Sequence, residues 1–202
     1  MTPTLALLVL LAALFHAIWN AIVKGGDDKL LSITGLNLAT AILCALLLPF
    51  FGLPGPDSYP FLIASAFIHF AYYIALSKAY AHGDFSQAYP IARGTAPLFV
   101  TLWGVLVLGE SLNVLEAVSL AGILGGILLF ATRGWETVSH DRSALFWALA
   151  TSLCIAAYTI SDGLGGRLSG NVPGYMFALG ILDSLLIIIY TCLLYTSDAA
   201  DE

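Results

Sequence analysis

Residues 85–108, FSQAYPIARGTAPLFVTLWGVLVL, decide the fold. The stretch is apolar over most of its length, yet it carries an arginine, Arg93, well inside. A helix needs about 20 mainly apolar residues to cross ~30 Å of hydrocarbon, and this segment is long enough. Placing Arg at the centre of such a helix costs roughly 2.5 to 3.5 kcal/mol on the insertion scale. A residue of this kind faces a partner or a water-filled cavity rather than lipid.

Working outward, six more apolar runs fill the chain, so 85–108 is the fourth of seven spans. The others cover about 4–23, 30–51, 60–80, 114–132 and 143–161, with a seventh starting near Pro173. Gly25, Gly26, Asp27 and Asp28 close the first, and Gly52, Pro54, Gly55 and Pro56 form the turn after the second. The most polar stretch, 133–142, reads as a linker. Hydrophobic residues make up 59% and charged residues 10%, and the mean hydropathy is +0.92. That mix excludes an ordinary water-soluble domain. Helices satisfy their own backbone hydrogen bonds in lipid, so the expected fold is an all-α, polytopic transmembrane bundle of seven spans. The first span resembles a secretory signal only superficially: no basic residue precedes its apolar run, which continues to Lys24.

The end of the chain, CLLYTSDAADE at 192–202, resembles one reading frame of a transposon sequencing adapter, and Thr191 fits the same frame. The native protein is then expected to run only to about Tyr190. Leaving out Asp198, Asp201 and Glu202 changes the formal charge from −6 to −3, so the acidity implies nothing about partners. Cys44, Cys154 and Cys192 are isolated, which indicates neither a disulfide framework nor a metal site.

Two segments, LFHAIWNAIVK at 14–24 and SKAYAHGDFSQAYPIARGTAPLFVTLWGVLVLGE at 77–110, resemble the EamA-type branch of the drug/metabolite transporter superfamily. The features are an aromatic residue and Asn near the end of the first span, a Pro-containing fourth span, the pair Gly109 and Glu110, and a glycine-rich fifth span. IAAYTISDGLGGR at 155–167 resembles the start of a second repeat. The sixth span also echoes the first, with Tyr158 and Thr159 placed like Trp19 and Asn20. The resemblance implies ten helices in two inverted five-helix repeats. Here 1–132 would be the first repeat, 133–142 the linker, 143–191 a truncated start of the second, and 192–202 an artefactual tail. It also implies a secondary transporter that exports small metabolites, amino-acid-like or drug-like, by alternating access.

Ionisable groups inside spans are the candidate site. With ~1.5 Å of rise per residue, Arg93 lies about 12 Å from the face where the first span ends, His16 about 10 Å, and His69 and Asp183 about 16 Å. All fall near the midplane, where inverted-repeat transporters bind substrate. Ser86, Tyr89, Arg93 and Pro97 share one helical face, as do His16, Trp19 and Asn20, and His69, Tyr73 and Tyr80. The expected substrate-pathway residues are His16, Trp19, Asn20, His69, Tyr73, Ser86, Tyr89, Arg93, Tyr158 and Asp183. Glu110 reads as a capping or turn residue. Gly122, Gly125 and Gly126 include a GxxxG that lets another helix approach closely.

No GxxxxGK[ST], HExxH or GxSxG occurs, which removes support for an ATP-driven pump or a common intramembrane hydrolase. The reading expects no enzyme activity, no cofactor, no metal and no nucleic acid. Its partners are a small-molecule substrate, the lipid bilayer and protons, with His16, His69 and Asp183 as proton carriers. A membrane-embedded enzyme or flippase for lipid-linked substrates would use similar groups but longer loops, and a non-transporting subunit would tolerate loss of Arg93. The expected location is the cell membrane, inner or plasma. Lys24, Lys29, Lys78, Arg133 and Arg142 flank links on one side and Arg167 the other, so the positive-inside rule places the first side in the cytoplasm. The family resemblance implies the reverse.

Overall fold

The structure, a computed structural model, describes residues 3–82, 85–133 and 142–198. Its helices are α1 (Pro3–Gly25), α2 (Lys29–Phe51), a 3-10 turn (Pro56–Ser58), α3 (Tyr59–His82), α4 (Phe85–Gly94), α5 (Ala96–Val107), α6 (Val114–Arg133), α7 (Arg142–Leu168) and α8 (Val172–Asp198). Among the described residues, six helical segments are long and apolar enough to cross a membrane, the joined α4 and α5 counting as one, and α6 adds a shorter apolar stretch over Val114–Ile127. The fold is the expected all-α polytopic bundle.

Local chemistry sets the ends. Asp28 accepts the Leu31 amide at 2.9 Å and starts α2. Asn113 and Glu116 cap α6 reciprocally, side chain to amide in both directions at 2.9 Å. Asn171 accepts the Gly174 amide at 3.1 Å at the start of α8. Its Nδ2 also donates to the Phe51 and Gly52 carbonyls, at 2.7 and 3.2 Å, which straps the α2–α3 turn to the α7–α8 turn. Gly109 takes φ +67°, a conformation that favours glycine. The chain there turns back so that the Glu110 amide reaches the Gly104 carbonyl at 3.1 Å, the turn role expected of that pair.

The packing is that of a protein whose solvent is lipid. Leu46, Phe50 and Leu106 point outward, while Asn20, Asn37, Ser65, Thr151, Ser152, Asp183 and Ser184 are buried. Polar side chains inside a bundle avoid the loss of hydrogen bonds they would suffer in hydrocarbon. They join helices here: Thr34 with Thr191 at 2.8 Å, Thr95 to Ser152 at 2.5 Å, and Ser184 to Asn37 at 3.2 Å. Among the described residues no buried side-chain N or O lacks a partner. The α3 helix packs on α7, α8 lies against α2 and α3, α4 and α5 rest on α7, α6 rests on α4, and α1 leans on α2.

Three expectations change. The sixth span continues past Ser161 to Leu168, because Gly163, Gly165 and Gly166 are helical and not breakers. A Cβ on Gly165 would stand 2.7 Å from the Tyr175 ring, so the glycine admits α8. The fourth span is two helices, because Pro97 has no N–H to give the Arg93 carbonyl and its ring crowds it. Among the described residues, a Cβ at Gly122, Gly125 or Gly126 of the α6 GxxxG region would meet no neighbour within 4 Å, whereas a Cβ at Gly94 would stand 2.8 Å from Ile127. The close approach of α4 to α6 is therefore at Gly94. Of the linker, 134–141 lies outside the described residues, and Arg133 and Arg142 belong to helices. Helix α8 continues through 192–198, and 199–202 lie outside the described residues.

Candidate functional site

A cavity of about 860 Å³ opens between α1, α2, α3, α4 and α7. Ligand sites commonly measure about 300–1,000 Å³. Its wall contains His16 and Trp19 from α1, Asn37 and Thr40 from α2, His69, Tyr72 and Tyr73 from α3, Arg93 from α4 and Tyr158 from α7. Six of the residues singled out in the sequence, His16, Trp19, His69, Tyr73, Arg93 and Tyr158, thus share one space. Their convergence follows from the helical periods: His69, Tyr72 and Tyr73 lie on one face of α3, and α3 packs on the helix that carries Tyr158.

Arg93 lies in the last turn of α4, where carbonyl dipoles favour a cation by about 0.3–1 kcal/mol. That is smaller than the insertion penalty, so side chains must add to it. Nη2 donates to Tyr72 Oη at 3.0 Å, and Tyr158 lies in hydrogen-bonding reach. The guanidinium carbon also sits 5.9 Å from the centre of the Tyr72 ring. A guanidinium has five N–H donors, so neutral phenols hold it in place without using its capacity to bind an anion.

The two histidines are held as opposite tautomers. Trp19 Nε1 donates to His16 Nδ1 at 3.1 Å, which needs a lone pair there. His69 Nδ1 lies 3.0 Å from the Ser65 carbonyl, a contact that needs a proton. The His69 ring stacks on Tyr158 with centroids 4.1 Å apart and planes at 23°.

Asp183 and Asn20 stand behind this wall. Asp183 is 5% exposed and accepts from Tyr73 Oη at 3.1 Å and from Ser184 Oγ at 3.4 Å. Tyr73 therefore links the cavity to a buried carboxylate. Asn20 is buried, donates to the His16 carbonyl at 2.7 Å and accepts from Tyr80 Oη at 3.0 Å. Tyr80 is thus part of the α1–α3 contact and not of the cavity wall. Tyr89 is half-buried against the core that contains Val23, Ile33 and Tyr72. Ser86 lies outside the described side chains, and Pro97 belongs to α5.

Sequence reasoning missed Tyr72, Asn37 and Asp162. Tyr72 adjoins Tyr73, and the doublet was the available signal for it. Asp162 falls one residue past the expected end of the sixth span, but it sits within α7, accepts from Ser65 Oγ at 2.5 Å and from Tyr175 Oη at 3.2 Å. A chain of contacts therefore runs from Asp162 through Ser65 to His69, whose Nδ1 is 3.2 Å from the Ser65 hydroxyl.

A polytopic helix bundle with a broken helix and a polar, aromatic cavity bordered by a buried cation is the architecture of a membrane transporter. Residues 4–132 match the EamA-like transporter family, and the chain belongs to that family. It is a multi-pass membrane protein of the drug/metabolite transporter type. Neither the curated proteins nor the solved structures compared with it give a match.

Proposed function

We propose that the chain forms part of a secondary transporter of the cell membrane that exports small metabolites, amino-acid-like or drug-like, by alternating access. The observation that carries this reading is the shared cavity: an unusual set of polar side chains, drawn from five helices, faces one space. The broken α4–α5 segment supports it, since discontinuous helices are where such transporters bind cargo. Proton coupling fits the same wall, because His16 and His69 border the cavity and Tyr73 connects it to Asp183.

The test is uptake of labelled amino acids into everted vesicles from cells that express the chain. Uptake above vesicles lacking the protein, abolished by Arg93→Ala and by an uncoupler, supports the reading. Uptake indifferent to Arg93→Ala removes Arg93 from the pathway, and uptake indifferent to the uncoupler removes proton coupling.

A further inference from the structure

Resting on the reading of the cavity as a substrate site, we infer that its cargo is an organic anion, a carboxylate attached to an apolar or aromatic body, and that organic cations are rejected. The inference stands on how charge is distributed around the space. Among the described residues that line the wall, Arg93 is the permanent charge and none is Asp or Glu. Two carboxylates, Asp183 and Asp162, are held within the bundle, but neither lines the cavity. Asp183 is turned behind Tyr73 and engaged by Tyr73 and Ser184. Asp162 is engaged by Ser65 and Tyr175. Both acids are satisfied by hydroxyl donors within the bundle, whereas the cation at the wall is held by neutral phenols. Where the dielectric is low, a ligand of opposite sign gains most from such an uncompensated charge, and one of like sign is penalised.

The rest of the wall defines the other half of the ligand. Phe15, Trp19 and Ile22 from α1, with Ile33 and Leu36 from α2, add an apolar and aromatic surface to the same cavity as the arginine. An arginine pairs with a carboxylate through two parallel N–H···O bonds. With its carboxylate on Arg93, a ligand would lay its apolar body along α1 and α2. The tautomer of His69 agrees with this division: the proton on Nδ1 is used by the Ser65 carbonyl, so the neutral ring offers its other nitrogen as an acceptor rather than as a second anion hook.

Three probes of one shape isolate the charge: 3-phenylpropionate, 3-phenylpropionamide and 3-phenylpropylammonium. Binding to the purified full chain in detergent is read by isothermal titration calorimetry. The propionate should bind at least tenfold more tightly than the amide, and the ammonium more weakly than either. In Arg93→Gln the propionate should fall to the amide's affinity while the amide is unchanged, and Arg93→Lys should keep part of the preference. Retained thermal stability of both variants shows that they fold. Equal affinity for the three probes overturns the inference but leaves the cavity as a binding site, and tighter ammonium binding overturns it outright. Failure of all three probes while labelled amino acids still enter vesicles rejects the inference alone. Failure of both assays rejects the transport reading with it.

Discussion

Replacing Tyr73 by Phe tests how the cavity wall is tied to the buried acid. The phenol donates to Asp183 Oδ2 at 3.1 Å, and the carboxylate otherwise accepts from Ser184, through its backbone amide and through its hydroxyl at 3.4 Å. At 5% exposure, water has little access to replace the missing donor. Interhelical hydrogen bonds in membrane proteins average about 0.6 kcal/mol and reach about 1.7, while bonds to charged groups in general are worth about 1.5–3 kcal/mol. The overlap of the two ranges places the loss for Tyr73→Phe at about 1.5 kcal/mol. Asp183→Asn keeps the shape and reduces the need for a donor, so in that background Tyr73→Phe should cost less than half as much. Equilibrium unfolding of the purified chain in mixed micelles, followed by circular dichroism over the full cycle of single and double variants, measures both. A Tyr73→Phe variant as stable as the parent, or strictly additive effects in the double variant, would refute the link.

Two other sites give clear expectations. A Cβ at Gly180 would stand 2.7 Å from Cys44 Sγ, so Gly180→Ala should lower stability by about 1–3 kcal/mol through overpacking of α2 on α8. Adding Cys44→Ala should restore part of that loss, as read by the unfolding midpoint. Asn171→Ala removes the cap of α8 and the strap to the Phe51 and Gly52 carbonyls. It should cost about 1 kcal/mol or somewhat more, and faster hydrogen exchange at residues 52–55 and 171–174 would mark the lost strap.

The spans themselves were legible because the bilayer imposes one requirement, length and apolarity, on every segment. The rise per residue likewise set His16, His69 and Arg93 at similar depth, and the three border one cavity. Failures came where tertiary packing overrode local signals. The sixth span was expected to end near Ser161, ahead of Gly163, Gly165 and Gly166, yet within a bundle glycine is tolerated inside a helix because a neighbour can then come close, and Tyr175 does so at Gly165. That misreading placed Asp162 outside the span and hid its bond with Ser65. The opposite error occurred on α6, where glycine spacing suggested a contact that the described residues do not make. Depth alone also grouped Asp183 with Arg93, but only side-chain direction shows that the acid serves Tyr73 and Ser184 and the cation serves the cavity.

The central claim is that buried polar side chains border a water-accessible route, and Thr40 in its wall gives direct access to it. With Cys44, Cys154 and Cys192 replaced by Ala, a single Thr40→Cys should react with a charged, membrane-impermeant methanethiosulfonate reagent in vesicles, and 3-phenylpropionate should slow the reaction. Leu38→Cys, on an outward face of the same helix, should stay unreactive. A Thr40→Cys thiol as inert as that at Leu38 would mean the space is dry, and the account of Arg93 as part of a transport pathway would be contradicted.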